Sequence, residues 1–540
     1  MQYFIPAWYK DNDWKENEQV WYRSRTVTEF DDTVKQIQLF FRKKVAPFKI
    51  LLLGFSPNFR HFLHRQGVYH APYISCFDAM QGISDEAIRL FSFHDLTWPG
   101  GVEFIYSPFA VIVRKDGRKY AQIEFAEDGN MFRVDIFDNE LRTCSNYYDD
   151  RGFVSCQIVY RNGVPYREQY FNKDGTWKFA RFLDDGHVVI NPESSWFLIP
   201  GSRGKRRAEY SKKRYSRIDD VIEEVLQSFL GETSEDDGFI IAMHPMHSAI
   251  LSDALAGRRT VLSFFERRFN ENNITGSGRK IIESADYIVT DRKATADALH
   301  RHIDTESVPL KVITPYDSRV EFGMSQHLRV QNILLAVDHI NSDDFSKIVV
   351  TLAEYVIRKN DRARICIFTR SAQYNERARL LDKTAEVLQH AGIDPDFARG
   401  DTGVSESSVD ASGRAQPIFS VAQCVDEMSV NRTLREQHII VDLQDIPDQF
   451  LQISAMSMGI PQITVRETDY IVDGKNGIVI SDTEQLPDAL DYYLKSIVHH
   501  NQAEIASYDL GSGFSTEKLV DSWKEVISSL ENKSTSAGQC

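Results

Sequence analysis

The chain has 540 residues, with 78 acidic against 63 basic side chains, a net charge of −15, and 42% hydrophobic and 11% aromatic content. That length exceeds one hydrophobic core and suggests roughly three to four domains, while the composition excludes a disordered chain. The acidic balance excludes a general attraction to nucleic acid or to anionic membranes.

The opening "MQYFIPAWYK" lacks a basic segment followed by an apolar one, so no signal peptide is expected. No run approaches the ~20 apolar residues that span a bilayer. Six cysteines (76, 144, 156, 366, 424 and 540) stand without CxxC pairs, the pattern of reduced, buried thiols. A cytoplasmic protein is expected.

From Phe48 to about Pro99 the texture is α/β: "FKILLLGF" reads as a short buried strand and "PNFRHFLHRQG" as a helix closed by Gly67. From about Gly101 to Asn191 it changes. Turn signals recur roughly every twelve residues, at Asp116-Gly117, Asp128-Gly129, Asp138-Asn139, Asp150-Arg151-Gly152, Asn162-Gly163, Asp174-Gly175 and Asp185-Gly186. Alternating stretches such as "AQIEF" and "FRVDIF" lie between them. Asp-Gly and Asn-Gly suit the positive-φ positions of hairpin turns, so an antiparallel meander is expected.

The α/β texture returns near Arg217. "GFIIAMHP", "RTVLSFF" and "DYIVT" read as strands, with helices "VIEEVLQSFL", "SAILSDALAG", "GRKIIESA" and "DRKATADALHRH" around them. A second unit opens at "VQNILLAVDH" and runs through helix "SKIVVTLAEYVIRKN", strand "ARICIFT", a helix from Asn375 to about His390 and strand "HIIVDL". Gln449–Ile480 then reads as helix, strand, turn, strand. Alternation of this kind implies parallel sheets covered on both faces.

Ligands of doubly wound folds bind at the carboxyl ends of strands, where strand order reverses. A phosphate there normally needs a glycine-rich turn entering a helix. The first strand instead runs into "GFSPNFRHF", and no GxGxxG or P-loop stands in such a context.

Three other groups are candidates. Tyr3, Phe4, Trp8, Tyr9, Trp14, Trp21 and Tyr22 could form a peptide or sugar platform, sharpest at Trp8 and Tyr9, or could simply cover the end of the first strand. "RGKRRAEYSKKRYSR" (203–217) holds eight basic residues and one acidic. Arg203, Lys205, Arg206, Arg207, Lys212, Lys213 and Arg214 are thus a candidate membrane or acidic-partner patch, the alternative being a solvated linker. His244 and His247 follow a strand end. With no carboxylate or third histidine placed to join them, no metal site is expected. Ser454 in "SAMS" lacks the G-x-S-x-G elbow of a nucleophile.

From about Ile281 to Tyr493 the chain resembles the C-terminal half of retaining glycosyltransferases of the two-Rossmann (GT-B) type. The resemblance rests on "SADYIVTDRKATADALHRH", "VITPYDSRVEF" and "SAMSMGIPQITVRETDYIVDGKNGIVI". In that family two carboxylates spaced E-x7-E hold the donor's ribose and sugar, and an Arg and a Lys neutralise its diphosphate. Carried over, the carboxylates fall on Ile446 and Ser454, the Arg near His339 and the Lys near Asp344. Each missing charged contact is worth about 1.5–3 kcal/mol, enough together to take donor binding from micromolar to worse than millimolar.

The opening "YFIPAWY", followed by "WYR" and "FDDTVKQIQLF", resembles the transferase-like component of the bacterial accessory Sec system, as does a β-meander inserted in the first Rossmann domain. That family resemblance implies an α/β fold of two Rossmann-like domains. The expected divisions are 1–99 and 201–325 for the first domain and 100–200 for the inserted sheet. The second domain is expected over 326–505, a C-terminal helix that crosses back over 506–530, and a flexible tail over 531–540. It implies a subunit without catalysis or cofactor, partnered by two sister accessory Sec proteins, the motor ATPase and translocon, and a glycosylated serine-rich repeat adhesin. Glycan and peripheral membrane contact are further candidates, with Trp8, Tyr9, His244 and His247 as candidate partner or glycan contacts. The rival is an active retaining glycosyltransferase that modifies the same adhesin.

Overall fold

The computed structural model describes residues 1–16, 20, 28–84, 87–201, 206–270, 274–302, 308–319, 325, 328–398 and 417–537. The chain forms two compact units. Met1–Ser24, Asp32–Val312 and Trp523–Cys540 make the first, and Arg25–Asp31 with Ile313–Ser522 the second.

The first unit is built on a seven-stranded parallel sheet. Its spatial order is Leu310–Val312, Tyr287–Thr290, Arg259–Phe264, Gly238–Ala242, Gln2–Ile5, Phe48–Leu52 and Tyr73–Ser75. Gln2–Ile5 is central and buried throughout, as its apolar sequence demands of a strand covered on both faces. Helix Ile218–Leu230 buries Ile218, Val221, Ile222, Val225, Leu226 and Phe229, a stripe at three- and four-residue spacing against the core.

The expected meander is present. Nine consecutive antiparallel strands from Val102–Tyr106 to Val188–Ile190 are extended by Arg214–Tyr215 into a ten-stranded sheet. Both central residues have positive φ at Asp116-Gly117, Asn139-Glu140 and Asn162-Gly163, the geometry of tight hairpin turns. The sheet does not close a core alone: Cys156, Tyr170, Phe179 and Ile190 share one apolar cluster with Phe55, Phe77 and Phe229. Its hairpin end at 149–151 is also fixed ionically. Arg60 takes Asp150 and, at 3.2 Å, Asp149, while Arg151 takes Asp149 at 2.6 Å and Asp78 at 2.7 Å.

The second unit holds a six-stranded parallel sheet in the order Phe419–Gln423, Ala363–Thr369, Gln331–Ala336, Ile439–Asp442, Gln462–Thr464 and Gly477–Val479. Helices Ser342–Arg358, Glu376–His390 and Leu486–Leu494 supply much of its core. Strand Phe419–Gln423 and helix Glu427–Leu434 are additions to the sequence reading. The last helix, Thr516–Ala537, begins in the second unit. From Trp523 it belongs to the first, where the indole packs edge-on against Phe40 at 5.6 Å. Among the described residues no helix is long and apolar enough to cross a membrane.

Candidate functional site

Strand order reverses once in each parallel sheet. In the first, the chain runs outward from Gln2–Ile5 and later returns to its other side with Gly238–Ala242. In the second, it runs outward from Gln331–Ala336 and returns with Ile439–Asp442. The loops leaving these four strands flank the crevices where doubly wound folds bind ligands.

The first reversal is filled by neutral aromatic groups. Tyr9 and His247 leave adjacent strands and meet, Tyr9 Oη lying 2.7 Å from His247 Nε2. His247 Nδ1 lies 2.6 Å from the carbonyl of Ala242, which can only accept, so Nδ1 carries the proton and Nε2 accepts from Tyr9. Burial holds the tyrosine hydroxyl protonated and pushes His247 down to about 3, leaving it uncharged at neutral pH. His244 caps helix Pro245–Ala254, its Nδ1 accepting from the Met246 amide at 3.2 Å, and burial pushes it down to about 4. Trp14 edges onto Tyr9 at 5.1 Å and donates to Asp219 at 2.6 Å. Across the crevice the Tyr9 ring lies so near Gly54 that a Cβ there would stand 3.0 Å from it.

The structure therefore brings Tyr9, His244 and His247 together. His247 has no lone pair left for a substrate proton. Trp8 is buried against Phe59 and Phe62, Tyr3, Phe4 and Trp14 are core residues, and Tyr9 and His244 are half-buried. Trp21 and Tyr22 lie outside the described residues.

The second reversal is filled by an ionic network. The His339 amide donates to Gln444 Oε1 at 2.7 Å, joining the two post-strand loops directly. Asp442 accepts from Gln444 Nε2 at 2.9 Å and from the Asp448 amide at 3.0 Å. Asp448 caps helix Gln449–Ser457 and pairs with Arg370 at 2.5 Å. Asp338 accepts from Thr369 Oγ1 and, at 2.8 Å, from the Arg370 amide. Phe30, buried in this same unit, packs at 4.9 Å on Phe450 and lies under the Arg370 guanidinium at 4.6 Å. Burial pushes the Asp442 carboxyl up to about 7 and raises that of Asp338, each also opposed by the Asp448 charge.

The network thus holds three carboxyl groups, that of Asp442 raised to about 7, and one guanidinium already paired with Asp448, whereas a diphosphate is held by cations. His339 contributes its backbone amide, and Asp344 sits in the first turn of helix Ser342–Arg358, held by Asn341 at 2.6 Å. Ile446 is half-buried in the loop, and Ser454 is buried in its helix. The sequence reading missed Asp338, Arg370, Gln444, Asp442 and Asp448. Their signal was position alone, each lying within six residues of a parallel strand's carboxyl end.

The basic run is dispersed. Arg206 pairs with Glu232 at 2.7 Å, Arg214 approaches Asp185 at 4.0 Å, and Arg207 lies on Trp196. Lys212 and Lys213 are exposed, while Arg203 and Lys205 lie outside the described residues. Among the described residues one group of metal-ligand type, Asp184, Asp185 and His187, stands on an exposed hairpin.

Two parallel Rossmann-like units with an antiparallel sheet in the first define a glycosyltransferase-like protein of the GT-B type. The pneumococcal O-GlcNAc transferase GtfA, solved with UDP and GlcNAc, has this fold at TM-score 0.69 and 12% identity over 98% of each chain. The profile of the accessory Sec system family, accessory secretory protein 1, matches residues 1–529, and the chain belongs to that family. It is similar to the family's protein from Streptococcus gordonii, 29% identical over 98% of this chain and 99% of that one. The Staphylococcus aureus relative is 27% identical over 99% and 100%. It is similar as well to a chain in the Gap123 complex of Streptococcus agalactiae, with TM-score 0.78 and 28% identity over 98% of this chain and 100% of that one.

Proposed function

We propose that the protein is a non-catalytic, transferase-like subunit of the accessory Sec complex, which binds glycosylated serine-rich repeat adhesins and delivers them for export. The observation that carries this reading is the carboxylate-rich closure of the second strand-order reversal by Asp442, Gln444, Asp448 and Arg370. A nucleotide-sugar donor would have to displace an ion pair there and place its diphosphate among carboxylates.

The partners are two sister accessory Sec proteins, since family relatives occur in complexes described as Gap123 and as accessory secretory proteins 1, 2 and 3. The motor ATPase and translocon follow from the same system, with the protein on the cytoplasmic face of the membrane.

Calorimetric titration with UDP-N-acetylglucosamine, UDP-glucose and UDP tests the loss of chemistry. No saturable heat is expected up to millimolar donor. A micromolar site would overturn the reading in favour of an active retaining transferase. Ser454→Ala should leave adhesin export unchanged, and export lost from a folded variant would count equally against it.

A further inference from the structure

We propose that strand Val102–Tyr106, one edge of the ten-stranded sheet, pairs antiparallel with the same strand of a second copy of this chain, about a two-fold axis at Phe104. Among the described residues this strand has one neighbour, Val111–Lys115, and no strand lies along its outer side. The two edges of the sheet differ. The far edge is Arg214–Tyr215, two residues long, with Lys212, Lys213 and Arg214 exposed at its start. Short length and cations of that kind keep an edge from pairing. Val102–Tyr106 has five residues without proline or lysine, and it exposes Ile105 to 39% and Tyr106 to 64%.

The ladder fixes which backbone groups the edge offers. The Ser107 amide donates to the Ala110 carbonyl at 3.1 Å, and the register from Tyr106–Val111 to Val102–Lys115 runs without a shift. Bonded residues alternate along an antiparallel pair, so Glu103 and Ile105 turn their amides and carbonyls toward Val111–Lys115. Val102, Phe104 and Tyr106 turn theirs outward. These donors and acceptors repeat at the spacing that another extended backbone matches.

The sequence suits a second copy in one register. With Phe104 opposite Phe104 of the second copy, Val102 meets Tyr106 on either side of the axis, and every outward residue is bonded. Glu103 then stands opposite Ile105 of the copy. A shift by one bonded step loses a pair, and in one direction it sets the two Glu103 side chains against each other. Opposed residues of an antiparallel pair point to the same face, so both Phe104 rings lie on the face where Phe93 and Trp98 already pack, at 5.5 and 5.7 Å. These rings are half-buried in each copy, and pairing makes the aromatic cluster continuous across the axis.

The test is analytical ultracentrifugation of the full chain across the micromolar range. A monomer–dimer equilibrium that shifts with concentration is expected. Ile105→Glu changes an exposed side chain and brings a carboxylate against Glu103 of the copy, so dimerisation should weaken about tenfold or more. Adding Glu103→Lys to that variant sets opposite charges across the axis and should restore the dimer. A monomer at every concentration, which leaves the edge to a strand of another protein, overturns the proposal. So does a dimer that Ile105→Glu leaves untouched, or one that Glu103→Lys does not restore.

Discussion

At the first strand-order reversal Tyr9 and His247 meet as neutral groups inside an aromatic wall. At the second, His339 and Gln444 meet beside Asp442 and Asp448, and Asp448 pairs with the guanidinium of Arg370. Each closure joins the loops of two adjacent parallel strands. The means differ. One site is filled by volume, its polar atoms satisfied pairwise. The other gathers three carboxyl groups, one of them paired with Arg370. Either arrangement leaves the sheet beneath it intact, because strand register and helix packing do not depend on what the post-strand loops hold.

The sharpest way to break this comparison is Arg370→Leu, which leaves Asp448 buried without its cation. A loss of about 3–5 kcal/mol in urea unfolding is expected, as for breaking a buried ion pair. Tyr9→Phe removes one neutral hydrogen bond and leaves His247 Nε2 unsatisfied. That should cost about 1–3 kcal/mol in the same measurement. Equal costs would erase the distinction between the two closures.

Protonation separates them further. His247, held to about 3 by burial against an ordinary 6.5, binds its proton more readily in the unfolded chain. Its contribution to stability is complete above pH 6.5 and is lost on acidification toward pH 3. Asp442, raised to about 7 from an ordinary 3.8, holds its proton more tightly in the folded chain. Its contribution is complete below pH 3.8 and is lost as pH rises through 7. Stability differences from wild type for His247→Gln and Asp442→Asn should therefore slope oppositely between about pH 4 and 6.5, each by up to about 1.4 kcal/mol per pH unit. Parallel slopes would show that one of the two groups is not held as described. The smallest effect is expected away from both sites. Leu141→Ser, at an exposed hairpin tip, should change stability by less than about 0.5 kcal/mol in thermal melting.

Much of the architecture was legible because it is written locally. The meander announces itself through Asp-Gly and Asn-Gly pairs whose glycines the structure places at positive φ, and the short apolar runs "YFI" and "NILLA" lie in strands. Phe419–Gln423 escaped because "FSVAQ" has three apolar residues broken by a serine and closed by a glutamine, and it follows a long polar stretch. The closures escaped for another reason. Tyr9 and His247 could each be placed at a strand end, but 238 residues separate them, and no periodicity says that they face each other. For the second reversal the family's charge positions directed attention to Ile446, Ser454, His339 and Asp344. The residues that fill it are their neighbours Gln444, Asp448 and Asp338, together with Arg370 from the adjacent strand.

The division of the chain also bears on how it is made. Residues 25–31 belong to the second unit, although the chain on either side of them belongs to the first, and Trp523–Cys540 return to the first. The apolar surface around Phe40 therefore waits for Trp523, which is synthesised nearly five hundred residues later. The first unit is not complete until the residues from Trp523 have left the ribosome. Until then the nascent chain must stay soluble with part of its core uncovered, and a cut before Trp523 would leave the first unit unfinished although its sheet is intact.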